Sequence, residues 1–415
     1  MKTLAALALT LLCGGAAAAD ARATLALLQQ QPAANARSPL QQAERALPGI
    51  APAEPASRTL QAEVAASVHG ADGLSLHGNV LLARRRPAGG AGTDASRVNE
   101  LHAALDLGAW QLAAGRKVLG WDVGHAFRPN DLVQQEARRT LFTQTPQGRP
   151  LLMLEHFDAD SAWAVVAVNP LTSDGEAIEA PGGSERALAA RVYRRLGSLD
   201  LHGFARQGRH SGSSLGVAAS WVAGDAVELR GSLRVFERHA RWWSGDAGNA
   251  PLRSNPWLWR RAGAGTQALL GGTWTGDLKQ SVMLEAWHDG AALPASAWRD
   301  WSQRNAALAG LAADPSLGAP AAGNLAWQAT LLQSSGLHRD NLFLRLAWQP
   351  QAWTLSLDIL GTPADRGRIL TAQAQWQGDR WRLQASWREY GGPAGAVFAQ
   401  LPQRRVWLLA AELAL

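Results

Sequence analysis

A transmembrane antiparallel β-barrel of about 18 strands, with about 16 as the alternative and long loops on one rim, is the fold this sequence predicts. Three observations carry it. The N-terminus reads as a secretory signal. Period-two runs of about ten residues reach the last residue. Tight turns between those runs are flanked by tryptophan.

Lys2 gives a positive start, Leu4 to Leu12 a short apolar core, and Ala17-Ala18-Ala19 small residues before Asp20. Residues 1–19 therefore read as a cleaved signal peptide, whose core is too short to span a bilayer. Cys13 is the only cysteine, and Leu12 precedes it where a lipoprotein signal needs a small residue. Ordinary cleavage then leaves a mature chain with no disulfide, thiolate metal site or cysteine nucleophile. No later segment has the ~18 consecutive apolar residues of a helical span.

Residues 20–57 are rich in Ala, Gln and Pro and read as a periplasmic segment ahead of the barrel. Thr24 to Gln31 has a helical composition, and Pro48 to Pro55 reads as a linker. This stretch is too short for the folded plug of a TonB-dependent receptor.

From 58 to 415 the pattern is period two. Leu60, Ala62, Val64, Ala66 and Val68 form one run; Leu199, Leu201, Gly203 and Ala205 another. Leu215 to Trp221, Val227 to Val235, Ala268 to Trp274 and Leu278 to Ala286 follow. Near the C-terminus Leu342, Leu344, Leu346 and Trp348 alternate with Phe343, Arg345 and Ala347. Trp353 to Ile359, Leu370 to Trp376, Trp381 to Trp387 and Trp407 to Leu415 behave alike. Runs of about ten residues suit tilted strands crossing a bilayer, whereas soluble sandwich strands are about five or six.

Turns of the Gly/Asp type follow Trp221 and Trp274, and Gln377-Gly378-Asp379 lies between Trp376 and Trp381; Gln349-Pro350-Gln351 joins Trp348 to Trp353. Such turns join hairpins, and Trp beside each one in the apolar phase is a girdle at the lipid–water boundary. With 19 Trp against 2 Tyr, indole fills that role here. Longer connections, at 119–149, 170–184, 237–262, 289–323 and 391–403, belong to the opposite rim. One holds a helix from Ser296 to Leu311 with Trp298, Trp301 and Leu308 on one face, placed to plug the pore or rest on the rim. The strand count depends on Leu325 to Gln333. If that stretch crosses, 289–323 falls on the short-turn side, a conflict the sequence leaves open.

The run from Gly115 through Arg116, Lys117, Gly120, Trp121, Asp122, Gly124, His125, Arg128, Pro129 and Asn130 to Asp131 is the most distinctive. It resembles the strand-then-inward-loop signature of porin-like barrels of the alginate-export family, with Asp122 where a Gly is commoner. The resemblance implies a large barrel with loops folded into the lumen and arginines that guide an anionic polymer. It nominates Arg116, Lys117, Arg128, Arg138 and Arg139 as lumen-facing. Read from the residues alone, Arg–Asp pairs such as Arg128 with Asp131 would instead pin the loop.

Inward faces follow from the strand phase. Opposite the apolar residues stand Arg206, Arg230, Arg234, Arg345, Arg382 and Arg388, with Asp200, Glu228, Glu285 and Asp358 among them. Formal net charge is +6, nearly all of the positive charge is arginine, and Lys2, Lys117 and Lys279 are the only lysines. An inward arginine surplus raises local anion concentration. Cross-strand pairing would neutralise it, and a genome rich in arginine codons would explain the bias without function.

His210-Ser211-Gly212-Ser213 is the one close His/Ser cluster, without an evident acid partner or a hydrolase elbow. No enzyme activity, cofactor or metal is expected, since no phosphate loop or metal-ligand spacing appears. Three functions remain: an outer-membrane channel or export pore for a polar or anionic solute or polysaccharide, a non-conducting barrel that docks a periplasmic partner, and a membrane-embedded lipid hydrolase. The expected partners are outer-membrane lipid and the solute, not nucleic acid.

Overall fold

The computed structural model describes residues 18–70, 72–134, 140–171, 185–245, 248, 250–334 and 336–415. The signal peptide expected at 1–19 lies almost wholly outside them. In chain order the strands are β1 (Ala18–Ala34), β2 (Ser57–His69), β3 (Leu74–Pro87), β4 (Thr93–Leu107), β5 (Trp110–Lys117), β6 (Arg149–Phe157), β7 (Ser161–Val168), β8 (Ala187–Leu196), β9 (Leu199–Gly208) and β10 (Gly212–Val222). They continue with β11 (Val227–Phe236), β12 (His239–Ser244), β13 (Trp257–Ala262), β14 (Gly265–Thr275), β15 (Gln280–Asp289), β16 (Asp340–Trp348), β17 (Trp353–Thr362), β18 (Gly367–Gln377), β19 (Trp381–Gly391) and β20 (Gln403–Ala414). Three helices are α1 (Pro39–Ala46), α2 (Ala295–Leu311) and α3 (Gly318–Gln328).

Eighteen strands form one antiparallel sheet, and β12 and β13 form a separate hairpin. Neighbours in sequence pair throughout, with β11 passing directly to β14. β1 pairs with β2 on one side and β20 on the other, which closes the ring. Closure satisfies the backbone groups of the eighteen wall strands without an edge, the condition for crossing a bilayer with strands.

The closing strand corrects the sequence reading. Residues 18–34 are barrel wall, not a periplasmic segment, and Thr24 to Gln31 is strand rather than helix. Leu25 and Leu27 face outward while Ala26 and Leu28 are buried inside. Both faces are apolar, so no alternation marks the strand in sequence. Leu325 to Gln333 does not cross: it lies in α3 and the 3-10 turn Ala329–Gln333. The count of 18 stands because β1 supplies the missing strand, and residues 290–339 are then a long-rim connection.

Short turns occupy one rim, at 70–73, 108–109, 158–160, 197–198, 223–226, 276–279, 349–352 and 378–380. All five long connections read from the sequence lie on the other, although 172–184 falls outside the described residues. At the short rim Trp110, Trp221, Trp274, Trp348, Trp353 and Trp381 are exposed on the outer face, and Trp376 is half-buried. Above them outward leucines are bare, Leu270 at 72% and Leu101 at 65% exposure. A belt of this kind bounded by indoles is the lipid-facing surface of an outer-membrane barrel.

The long rim carries a cap. Trp298 and Trp301 of α2 pack with Ile369 of β18 and Phe398, and Leu308 packs with Leu325 of α3 and Ala43 of α1. The β1–β2 and β15–β16 connections therefore meet over the mouth. Asp365, in the turn between β17 and β18, ties the cap to the wall. It lies 3.0 Å from His338 Nε2 and accepts from the Thr362 hydroxyl and the Val397 N–H. Burial works to raise this carboxyl, but the bonds from His338, Thr362 and Val397 outweigh it and hold it well below the usual carboxylate range. A depressed carboxylate stabilises above its unfolded pKa of about 4 and loses that contribution as pH falls through the folded value. Protection of α2 amides, measured as exchange relative to the unstructured rate at the same pH, is accordingly expected to hold from pH 5 to 7 and to fall below about pH 4.

Candidate functional site

Residues 118–134 and 140–148, after β5, fold into the lumen. The entry depends on Gly115, whose φ is +128° and whose missing Cβ would lie 2.3 Å from the Leu101 carbonyl oxygen. Trp121, Leu132 and Val133 are buried against Met153 of β6 and Val166 and Val168 of β7. These wall residues point inward yet are apolar, because the loop covers them.

Polar anchors then tie the loop to the next stretch of wall. Glu285 of β15 accepts the backbone N–H groups of His125 and Ala126 at 2.8 and 2.7 Å, and Arg230 Nε of β11 at 2.9 Å. Arg345 of β16 donates to His125 Nε2 at 3.0 Å, and Phe127 stacks on Trp287 with 5.6 Å between centroids. Asn130 donates to Ser232 Oγ at 2.7 Å, and Asp122 accepts from the same hydroxyl at 2.9 Å. Asn130 fits only because β10 has a glycine here: a Cβ on Gly216 would lie 1.8 Å from Asn130 Oδ1. Asp131 accepts the N–H groups of Trp121 and Asp122, closing the turn. Burial pushes both the Asp122 and Asp131 carboxyls up, against these hydrogen bonds and the nearby Arg128 charge.

The returning part of the loop reaches the far wall. Phe142 packs on Ala26 and Leu28 of β1 and Leu408 and Ala410 of β20. Gln384 of β19 donates to the Leu141 carbonyl at 2.8 Å, and Arg97 of β4 to that of Thr145 at 3.0 Å. One connection thus spans the lumen between anchors on β11, β15 and β16 and others on β19, β20 and β1. Beside it lies a cavity of about 410 Å³ of mixed lining, with Gln61, Glu63, Arg382 and Glu412 on its polar side and Leu81 and Phe142 on its apolar side.

The nominated residues divide sharply. Arg206, Arg230, Arg234, Arg345, Arg382 and Arg388 all stand in the inward phase. Four have carboxylate partners: Arg206 with Glu185 at 2.8 Å, Arg230 with Glu285, Arg345 with Asp358 at 3.4 Å and Arg382 with Glu412 at 2.5 Å. Arg234 donates to the Pro129 carbonyl and Gln267, and Arg388 to Thr371. Arg128 lies 3.6 Å from Asp131 and donates to the Gly124 carbonyl at 2.7 Å, so it pins the loop. Lys117 is in the inward phase at the end of β5. Arg116 shares the outward phase of Trp110 and Leu112 and donates to the Gly148 carbonyl at 2.6 Å, bracing the loop's base. Arg138 and Arg139 lie outside the described residues.

Sequence reasoning missed Glu185 and the Asp122–Asn130 turn. The signal for Glu185 is spatial, since Ser211 lies 26 residues on. Asp122 and Asn130 are only eight residues apart, but the turn is fixed by Ser232 on another strand. Ser211 does have an acid partner, Glu185, whose Oε1 accepts the hydroxyl at 2.5 Å. Both Glu185 oxygens are taken, by Ser211, the His210 and Ser211 N–H groups and Arg206. Burial acts to raise this carboxyl, but Arg206 and these bonds hold it below the usual range. His210 gives the cluster only its backbone N–H, so this is an ion-pair lock without the geometry of a nucleophile and base.

No family model matches the chain, and no curated protein matches its sequence. Among solved structures, a triple mutant of the Rhodopseudomonas blastica porin is similar over 96% of this chain and 100% of its own, at 10% identity and a TM-score of 0.43. Another multiple mutant of that porin gives 11% identity and the same TM-score. A structure described by the asymmetric conductivity of engineered proteins gives 10% and 0.43. A likeness of this size carries no argument about activity, which rests on the barrel's own residues.

Proposed function

We propose that this barrel is an outer-membrane channel for small polar solutes, narrowed from inside by residues 118–134 and 140–148. The observation that carries the reading is the loop's course from one wall of the lumen to the other, beside a cavity into which Gln61, Glu63, Arg382 and Glu412 face. The inward arginines are mostly paired with carboxylates, so their field on a passing ion is weak and the preference for anions mild. The signal peptide, the outer-membrane location and the absence of catalysis belong to the same reading.

Export of an anionic polysaccharide is a second reading. It is favoured by the motif that resembles alginate-export barrels, because Gly115 to Asp131 runs from a strand into the lumen. Liposome swelling separates the two. Proteoliposomes are expected to swell quickly in monosaccharides and little in tetrasaccharides. Equal rates for both would favour a polymer route, and no swelling in any sugar would remove the channel.

A further inference from the structure

Arg58 of β2 and Arg86 of β3 are direct cross-strand partners on the outer face, next to the long rim. Both are exposed, and among the described residues neither has an ion pair. Arg84 lies two residues on, also outward, 3.7 Å from the exposed Asp94. Like charges directly opposed across an antiparallel pair are destabilising unless an anion sits between them. Nothing in the fold requires two guanidinium groups there.

The same register row leads into the lipid belt. Arg58 faces Gln29 of β1, Gln29 faces Leu409 of β20, Leu409 faces Ala385 of β19, and Ala385 faces Ala374 of β18. Along it the outer face is dented by a largely apolar groove of about 370 Å³, floored by small residues such as Ala385 and Ala411, that runs from Gln29 and Leu409 down to Trp353 of the short-rim girdle. Gln29 is exposed at its margin, an amide on a surface otherwise made for acyl chains. A polar group facing hydrocarbon is costly without a partner.

Guanidinium forks at the rim, an amide below them and an apolar groove below that match one kind of molecule. We infer that the outer face of β18–β3 holds a phosphate-bearing anionic lipid of the surface leaflet. Its phosphates bridge Arg58, Arg86 and Arg84, and an acyl chain lies in the groove. Arginine forks bind phosphate through paired hydrogen bonds, and each basic side chain near a lipid surface adds to the attraction. A second copy of the chain is the less suitable occupant, since the same arginines on a partner would add repulsion.

The test uses the full barrel in neutral detergent, titrated separately with diphosphorylated lipid A, phosphatidylcholine and inorganic phosphate, with retained lipid read by native mass spectrometry. The expected result is retention of lipid A but not of phosphatidylcholine. Affinity should fall on the order of thirtyfold in the R58Q/R86Q double variant. Ala385→Trp, which fills the groove, should weaken lipid A and leave any binding of inorganic phosphate unchanged. Heat-modifiable migration on gels confirms that both variants fold. The inference is overturned if the double variant keeps lipid A as tightly as the wild type, if phosphatidylcholine is retained equally, or if millimolar inorganic phosphate displaces lipid A fully. It also fails if R58Q/R86Q changes only the oligomeric state, which would make this face a subunit interface. None of these outcomes depends on whether the lumen conducts.

Discussion

Removing residues 18–34 is expected to abolish the folded barrel. β1 contributes 13 register pairs to β2 and bonds to β20 along most of its length. Without it, two long apolar strands would present unpaired backbone groups to hydrocarbon, at several kcal/mol for each group left without a partner. β2 and β20 could re-pair with each other only in a 17-stranded ring of altered register. That ring would displace Phe142, whose seat is formed by Ala26, Leu28, Leu408 and Ala410. Refolding residues 35–415 into detergent should therefore give no heat-modifiable band, whereas the chain from residue 18 gives one. If the shorter chain folds fully, the wall closes without β1 and the assignment of this segment is wrong.

Glu285→Ala is expected to release the inward loop. Its side chain is buried and holds three groups at once: two loop N–H donors and the Arg230 guanidinium. Removing one member of a buried pair costs up to about 3–5 kcal/mol when the other charge is left alone. Here Arg230 keeps Glu228 at 3.5 Å and Thr273 at 2.8 Å, so the loss is smaller. The loop amides of His125 and Ala126 lose their acceptor as well. Exchange protection across 121–133 should collapse while the strands stay protected. Tetrasaccharides should then enter proteoliposomes that excluded them. Glu285→Gln keeps an acceptor oxygen and should fall between the two. Unchanged exchange in Glu285→Ala would show that the apolar seat of Trp121, Leu132 and Val133 holds the loop by itself.

The barrel was legible wherever one strand face meets lipid and the other meets water or polar side chains. The alternation of Leu and Trp with Arg, Gln and Ser is clearest in β17 and β19 and is lost in β20, where Val406, Leu408 and Ala410 face inward under the loop. The hairpin turns, girdle and inward arginines stand where that phase puts them. It faded where the loop covers the wall. β1, β6 and β7 bury apolar residues inside as well as outside, so Leu25 to Leu28 and Ala162 to Val168 carry no period of two. Helix-forming Ala, Leu and Gln in β1 adopt a strand because tertiary closure overrides local preference. The lumen-facing set was half legible: phase located the strand arginines correctly. It could not show that Glu185, Glu285, Asp358 and Glu412 would pair with them, because cross-strand register and loop return are not written in local spacing. Arg116 went the other way, since a one-residue step along a strand reverses its face.

If the inward loop sets the channel's width, single-channel recording in planar bilayers should show discrete steps in the wild type, mild anion preference in a salt gradient, and larger steps in Glu285→Ala. The absence of steps in both proteins, with the barrel folded and the cap residues 295–328 also removed, would contradict the channel.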